Sequence, residues 1–289
     1  AFYMKNGEMP ILGYNEDGSP IINPESGYVE NGFSTNTEYR TTKWPGGGPS
    51  NLANKETGVS PVTEEGTYNM YCNREPRFYV SVIYNGAWLG VDNRRVDFLQ
   101  GGRDTDMTFD SPQNGYNVRK RISLDVLPRD GKYVYQPGIL YRMAEAYLGY
   151  AEALNEWKGG PTTDAYAAVN KVRKRGYTEP DGIVHSEYVL KAGMDQAEFR
   201  KAIQKERAYE LAFEGHRRLD LIRWGIYSET IEETYNALKA WWDEREDDKN
   251  TLIPNYVIYD YTEKGKHELM PIPQREMDLC TQFNQNPKW

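Results

Sequence analysis

Cysteine is nearly absent: Cys72 and Cys280 are the two in 289 residues, too few for a disulfide framework or a structural zinc site. Histidine is almost as scarce. His185, His216 and His267 lie far apart, none in an HExxH or HxxxH spacing, which argues against a histidine-based metal site or general base. No run of about 18 apolar residues occurs, and the mean hydropathy is −0.81, so no segment reads as a membrane-spanning helix. Positive charge is outweighed, since Lys+Arg 35 against Asp+Glu 43 leaves a net charge of −8. That balance speaks against holding nucleic acid or anionic lipid through counterion release. The chain opens at Ala1-Phe2-Tyr3 without a basic-then-apolar leader or a nearby lipidation cysteine, so a targeting segment is expected outside it.

What the chain holds in quantity is aromatic: 23 Tyr, 7 Trp and 8 Phe, 13% of a polar sequence, a combination that predicts rings at or near the surface. With 38% hydrophobic residues, the length suffices for one large domain or two ordinary ones. Residues 1–130 carry 15 Gly, 9 Pro and 3 Ala, whereas 131–289 carry 11, 7 and 14. Gly and Pro punctuate helices and Ala favours them. The composition therefore predicts a loop-rich, short-strand subdomain over 1–135, to which the ring-rich loops below assign ligand binding, and a helical region over 136–289, with a boundary near Gln136-Pro137-Gly138.

Glycines 7, 13, 18, 27 and 32, with Asn and Pro between them, leave no room for a helix before about residue 50. The run Arg77–Tyr84 is β-branched and aromatic and ends at Asn85-Gly86, predicting a strand and turn. A second extended region is expected from Arg119 through Val126. Gly138–Leu154 reads as a helix with its apolar stripe at Leu140, Ala144, Tyr147 or Leu148, Ala151 and Leu154. A second runs from Thr163 or Asp164 to Arg175, stopped by Gly176, and the pair resembles a tetratricopeptide-type hairpin. Asp195 and Glu198 form a capping-box pattern that starts a helix reaching about Gly215. An amphipathic stretch follows from Glu229 to Glu244, and Tyr256–Tyr259 is expected to form a hairpin with Glu268–Met270.

Few residues point to catalysis. No GxSxG elbow exists, and neither cysteine stands in a nucleophile context. Trp44-Pro45-Gly46-Gly47-Gly48-Pro49-Ser50 lacks the Lys-Ser/Thr pair of a phosphate cradle and reads as a surface loop carrying a tryptophan. Glu206, Glu210 and Glu214 share one helix face, as a cation ladder or, preferably, a charged face neutralised by Arg207, Arg217 and Arg218. Asp104 and Asp106 beside Gly102 suggest a calcium loop without the downstream Glu that would complete it. No metal site and no cofactor is assigned.

The rings carry the functional reading. Tyr28, Tyr39 and Trp44 stand in glycine-rich loops among Asn31, Asn36 and Asn51. Flat rings cover the C–H faces of sugars while amides bond the hydroxyls, so these residues are the candidate ligand-binding set. Trp88 is placed with them, although it would equally seal the core. Trp157, Trp224, Trp241 and Trp242 fall at helical positions and read as structural.

The stretch from Ile203 to Gly225, IQKERAYELAFEGHRRLDLIRWG, resembles an element of the SusD/RagB family. So do Leu269–Asp278 with Gln285-Asn286-Pro287, Leu140–Glu156, Ala165–Arg175 and the Arg74–Tyr79 strand entry. The resemblance implies a mainly α fold in which the tetratricopeptide-like hairpin packs against an irregular ligand-binding subdomain. It implies a non-enzymatic lipoprotein on the outer-membrane surface that binds glycans and delivers them to a SusC-like TonB-dependent transporter. Membrane attachment would come only through a lipid anchor outside this chain, and no nucleic acid is a partner. Family members are roughly twice as long, so the chain looks like their C-terminal part. In this reading Glu206–Trp224 is structural, and Tyr28, Tyr39 and Trp44 stand at the variable ligand loops by location. The alternatives are a peptide-binding relative, a transporter-docking scaffold without its own sugar site, and a glycoside hydrolase using Glu64 and Asp104.

Overall fold

The structure, a computed structural model, describes residues 2–15, 19–41, 59–89, 94–99, 102–104, 115–122, 131–135, 137–177, 188–231, 235–239, 253–259, 266 and 268–289. Its strands are short and pair as two-stranded antiparallel ribbons. These are β1 (Ile11–Tyr14) with β2 (Pro20–Ile22) and β3 (Glu38–Thr41) with β4 (Val59–Thr63). Helix α1 (Pro76–Ser81) runs into β5 (Val82–Tyr84), which pairs with β8 (Tyr116–Val118), and β6 (Trp88–Leu89) pairs with β7 (Arg94–Arg95). The helical half contains α2 (Met143–Lys158), α3 (Thr163–Tyr177), α4 (Gln196–Glu210), α5 (Arg217–Arg223) and α6 (Tyr227–Ile231). It closes with β9 (Tyr235–Lys239) paired to β10 (Ile253–Tyr259), then α7 (Gln274–Leu279). Among the described residues before position 50 none is helical.

The expected strand over Arg77–Tyr84 is a helix for most of its length. Pro76 occupies the first turn of α1, where its fixed φ and missing N–H suit a helix start. The β-prone residues Phe78 and Tyr79 are used for their rings instead. Tyr71 lies 4.6 Å and Phe78 5.2 Å from Tyr84, centroid to centroid, in a buried cluster completed by Val62, Val82, Val96 and Phe98. Packing overrides strand propensity here. The second extended region is not a strand where it is described: β8 ends at Val118, and Arg119–Ile122 form a turn closed by Ile122 N donating to the Arg119 carbonyl at 3.0 Å, while 123–130 lie outside the described residues.

Helices α2 and α3 form the tetratricopeptide-like hairpin, with α4 against it. Ala144, Leu148 and Ala151 meet Ala165, Ala168, Val169 and Val172, and Phe199 and Ile203 of α4 complete this core. Small side chains at the contact let the helix axes approach closely. The hairpin starts five residues later than Gly138, so Leu140 stands outside it and exposed. Asp195 and Glu198 make the reciprocal bonds of a capping box, at 2.8 and 2.9 Å. Helix α4 ends at Glu210, short of Gly215, because the chain turns at Phe213 with φ 62°. Tyr235–Lys239, expected in an amphipathic stretch, is a strand and takes β10 as its partner. Glu268–Met270 is held elsewhere: Asn286 Nδ2 donates to the Met270 carbonyl at 2.6 Å and Trp289 Nε1 to that of Leu269 at 3.0 Å. Trp224 is structural, donating to Glu152 at 2.7 Å. Trp157, expected to be structural, is instead 75% exposed beneath the Lys158 ammonium, and Trp241 and Trp242 lie outside the described residues.

Buried ion pairs join the two halves. Arg77 of α1 donates through Nε to Glu75 at 2.7 Å and through Nη1 to Glu206 at 2.6 Å and Glu210 at 3.1 Å. Arg173 of α3 takes the other oxygen of Glu206 at 2.8 Å. Arg142, Arg175 and Lys120 close on Glu210 and Glu214. The acidic face is therefore a neutralised one, but not by the expected partners: Arg207 pairs instead with Asp220 at 2.8 Å.

Gly176 does not stop α3, which runs on to Tyr177. A Cβ there would sit 2.9 Å from Arg77 Cδ and Nε, so the missing side chain is what admits the guanidinium. Gly176→Ala, which helix propensity alone would make stabilising by about 1 kcal/mol, is expected to destabilise by about 1–3 kcal/mol through overpacking. Urea unfolding measures the sign, and a gain in stability would refute the close fit.

Candidate functional site

A polar cleft of about 510 Å³ opens beside β3, in the loop-rich half. One wall is the loop before β3 and the other is the Thr63 end of β4 with the turn around Asn69–Asn73. Backbone bonds stitch the two walls: Ser34 N donates to Thr67 O at 2.7 Å and Asn69 N to Gly32 O at 2.9 Å. Phe33 and Tyr68 meet edge to face with centroids 5.5 Å apart. Asn69 Nδ2 donates to the Asn31 carbonyl at 2.9 Å, and Ser34 Oγ accepts from Asn36 N at 3.2 Å, fixing the loop as a side-chain-closed turn.

Among the described residues the lining is mostly amides and hydroxyls, Asn36, Asn69, Asn73, Ser34, Thr35, Thr37 and Thr63, with the ring of Phe33, the carboxylate of Glu38 and apolar contributions from Met4, Val29 and Cys72. Glu38 sits at the floor with its side chain 12% exposed. It accepts from Asn73 N at 3.3 Å, Tyr79 Oη at 3.5 Å and Lys5 Nζ at 3.4 Å. Burial pushes the Cys72 thiol up, against the hydroxyls of Thr63 and Ser34, so this lining sulfur stays neutral rather than becoming a nucleophile. A smaller recess of about 320 Å³ shares Met4, Gly27 and Asn73 with the cleft and adds Lys5, Asn6 and Tyr188.

Among the described residues, Tyr28, Tyr39 and Trp88 do not gather into one groove. Tyr28 is 5% exposed, with its hydroxyl on Glu30 at 2.5 Å and the Arg74 guanidinium 4.7 Å above its ring. Burial, then the bond to Glu30, pushes its hydroxyl far above the ordinary value. It is a pin under the cleft rather than a landing surface, and its neighbours Gly27 and Val29 supply the lining. Trp88 is 8% exposed beneath Arg95 at 4.6 Å, so it seals the interior and cannot stack on a ligand. Tyr39 is 55% exposed, directly after Glu38 on β3, but outside the lining. Trp44, Asn51 and the loop through Ser50 lie outside the described residues. Of the three amides read from sequence, Asn36 lines the cleft and Asn31 borders it by accepting from Tyr68 Oη at 3.1 Å. Phe33, 43% exposed, is the ring that sequence reasoning missed. Its position inside Asn-Gly-Phe-Ser-Thr-Asn was the available signal.

Glu64 and Asp104 are not paired with each other. Glu64 binds Arg95 at 2.7 Å, and Asp104 accepts both Nη atoms of Arg94 at 2.7 and 2.8 Å. Each carboxylate is thus engaged by its own guanidinium, and Asp106 lies outside the described residues. 

A model of the SusD family matches residues 1–289. The chain belongs to the SusD family. A SusD-like protein of Formosa agariphila is 37% identical over 141 residues, which cover 49% of this chain and 22% of that protein. Among solved structures, a SusD-like protein of Bacteroides fragilis superposes with a TM-score of 0.57 at 28% identity, covering 76% of this chain and 40% of its own. A SusD-like carbohydrate-binding protein from the same species gives a TM-score of 0.52 at 21% identity, over 96% and 57%. This chain thus spans 22% to 57% of the length of these SusD-like relatives. The SusD-type motif from Ile203 to Gly225 contributes Glu206 and Glu210, through Arg77, and Glu214, through Lys120, to the ion pairs between the halves and Asp220 to the clamp on Arg207.

Proposed function

We propose that this protein captures glycans without chemically altering them, at the outer-membrane surface, and hands them to a SusC-like TonB-dependent transporter. The observation that carries the capture is the cleft: amides and hydroxyls on two stitched walls, with a half-exposed phenyl ring at the rim, suit a polyhydroxylated ligand. Membership in the SusD family and the carbohydrate-binding description of one structural relative support the same ligand class. Transporter delivery, surface location and a lipid anchor outside the chain rest on the family alone. Tyr39, next to Glu38 on β3, and Trp44, three residues beyond the end of β3, are the rings proposed to extend the contact surface along a longer glycan.

Such a site is expected to bind in the micromolar to millimolar range, roughly −4 to −8 kcal/mol. Phe33→Ala is expected to weaken oligosaccharide binding about tenfold, the worth of one stacked ring, while leaving the thermal midpoint close to that of the parent. Glycan-array screening followed by calorimetric titration of the best ligand measures both. Unchanged affinity in Phe33→Ala together with a loss in Trp44→Ala would move the site to the adjoining loop, and absence of any glycan ligand would remove the proposal.

A further inference from the structure

We infer that this cleft selects uncharged glycans and turns away uronate-containing and sulfated ones. The inference rests on the glycan reading above and names the class within it. Among the described residues lining the cleft, Glu38 is the one ionised side chain. A carboxylate in a polar cavity accepts hydrogen bonds from neighbouring sugar hydroxyls and is among the stronger neutral-ligand acceptors a protein offers. The same group repels a ligand carboxylate or sulfate, and at 12% side-chain exposure solvent screens that repulsion poorly.

An anionic sugar would need a cation of its own, and among the described residues the cations near the cleft, Lys5 and Arg74, are committed. Lys5 Nζ, which borders the connected recess, lies 3.4 Å from Glu38 Oε1. Arg74, in the wall behind, donates to the carbonyls of Met70 and Phe2 at 2.8 and 3.0 Å and covers the Tyr28 ring. Asn73 belongs to both cavities, so a ligand bound in the cleft comes close to Lys5, whose ammonium is paired with Glu38. The pair Lys5–Glu38 therefore sets the charge that the site tolerates.

The test is titration of the intact chain against two panels of hexasaccharides, neutral (gluco-, manno- and xylo-configured) and anionic (galacturonate, guluronate and sulfated galactan). At least one neutral member is expected to bind with little dependence on salt, and every anionic one at least about tenfold more weakly, the scale of one unmatched charge contact. Glu38→Gln keeps one side-chain oxygen as acceptor, removes the charge and frees the ammonium. It is expected to raise anionic affinity about tenfold, with a salt dependence that the parent lacks, and Lys5→Gln in the same chain is expected to abolish that gain. Anionic binding equal to or tighter than neutral binding in the parent overturns the selection and leaves glycan capture standing. No gain in Glu38→Gln overturns the role of the pair. Failure of both panels overturns the selection and the glycan reading together. A Glu38→Gln chain that does not fold leaves the parental comparison to decide.

Discussion

Replacing Arg77 with methionine is expected to destabilise the fold by about 3–5 kcal/mol, the usual effect of leaving buried carboxylates without their cation. Glu75 and Glu206 both have side chains that are 0% exposed, and a single guanidinium serves them together. Arg173 would remain on Glu206, but Glu75 would keep only the Tyr3 N–H at 3.0 Å. Denaturant unfolding measures the loss, and restoring stability by adding Glu75→Gln to Arg77→Met would confirm its electrostatic origin. A change below about 1 kcal/mol would mean the pairs behave as surface ones. The network also sets the acid limit. Burial pushes the Glu206 carboxyl up, yet Arg77 and Arg173 outweigh it and hold the group below its ordinary 4.5. Its stabilisation is therefore complete above the unfolded value and lost as pH falls through the depressed folded one. Glu214, with Arg142 and Lys120 overcoming its burial, titrates in the same sense. Glu75 runs the other way, since burial lifts it despite Arg77, and its contribution falls as pH rises through that interval. The Glu206 and Glu214 contributions are the ones lost on acidification, and Arg77→Met is expected to flatten the Glu206 part of that limb.

Phe199→Ala should be comparably severe, about 3–5 kcal/mol, because a fully buried ring leaves both its transfer energy and a cavity behind. The side chain is 0% exposed at the centre of the α2–α3–α4 core and packs edge to face on Tyr166 at 4.7 Å. The control is Trp157→Ala at the surface end of α2, a larger truncation expected to stay within about 0.5 kcal/mol. Calorimetric midpoints of the two variants give the comparison. Equal effects would show that burial does not govern stability in this hairpin.

The helical half was legible in the sequence because its signals are local. The Asp195–Glu198 cap, the alanines of α2 and the 165–168–169–172 stripe of α3 act within a few residues of one another, and each stands where spacing placed it. The seam was half legible. Three glutamates on one face announced a charged stripe, but sequence proximity offered Arg207, Arg217 and Arg218, and the structure supplies Arg77, 129 residues from Glu206, and Arg173, 33 residues away. Nothing local encodes such pairs. Gly176 misled for the same reason, since a glycine needed for close approach looks like one that ends a helix. The loop-rich half was legible as composition and not as placement. Tyr28 and Phe33 are five residues apart in the same polar sequence, yet one is locked beneath Arg74 and the other forms the rim. Which ring faces water depends on the distant Arg74 and Tyr68, so the choice between them lay beyond sequence spacing.

Arg77 ties the amino-terminal half to the helices from outside the cleft lining, whereas the cleft is drawn from turns and strand ends. Solvent-facing cleft positions such as Thr35 and Phe33 can therefore change with less effect on folding than the buried pairs at the seam. A mutation at Arg77 has no such freedom. Inherited change should accumulate at the rim and be purged at the seam, leaving one chassis able to acquire new tastes.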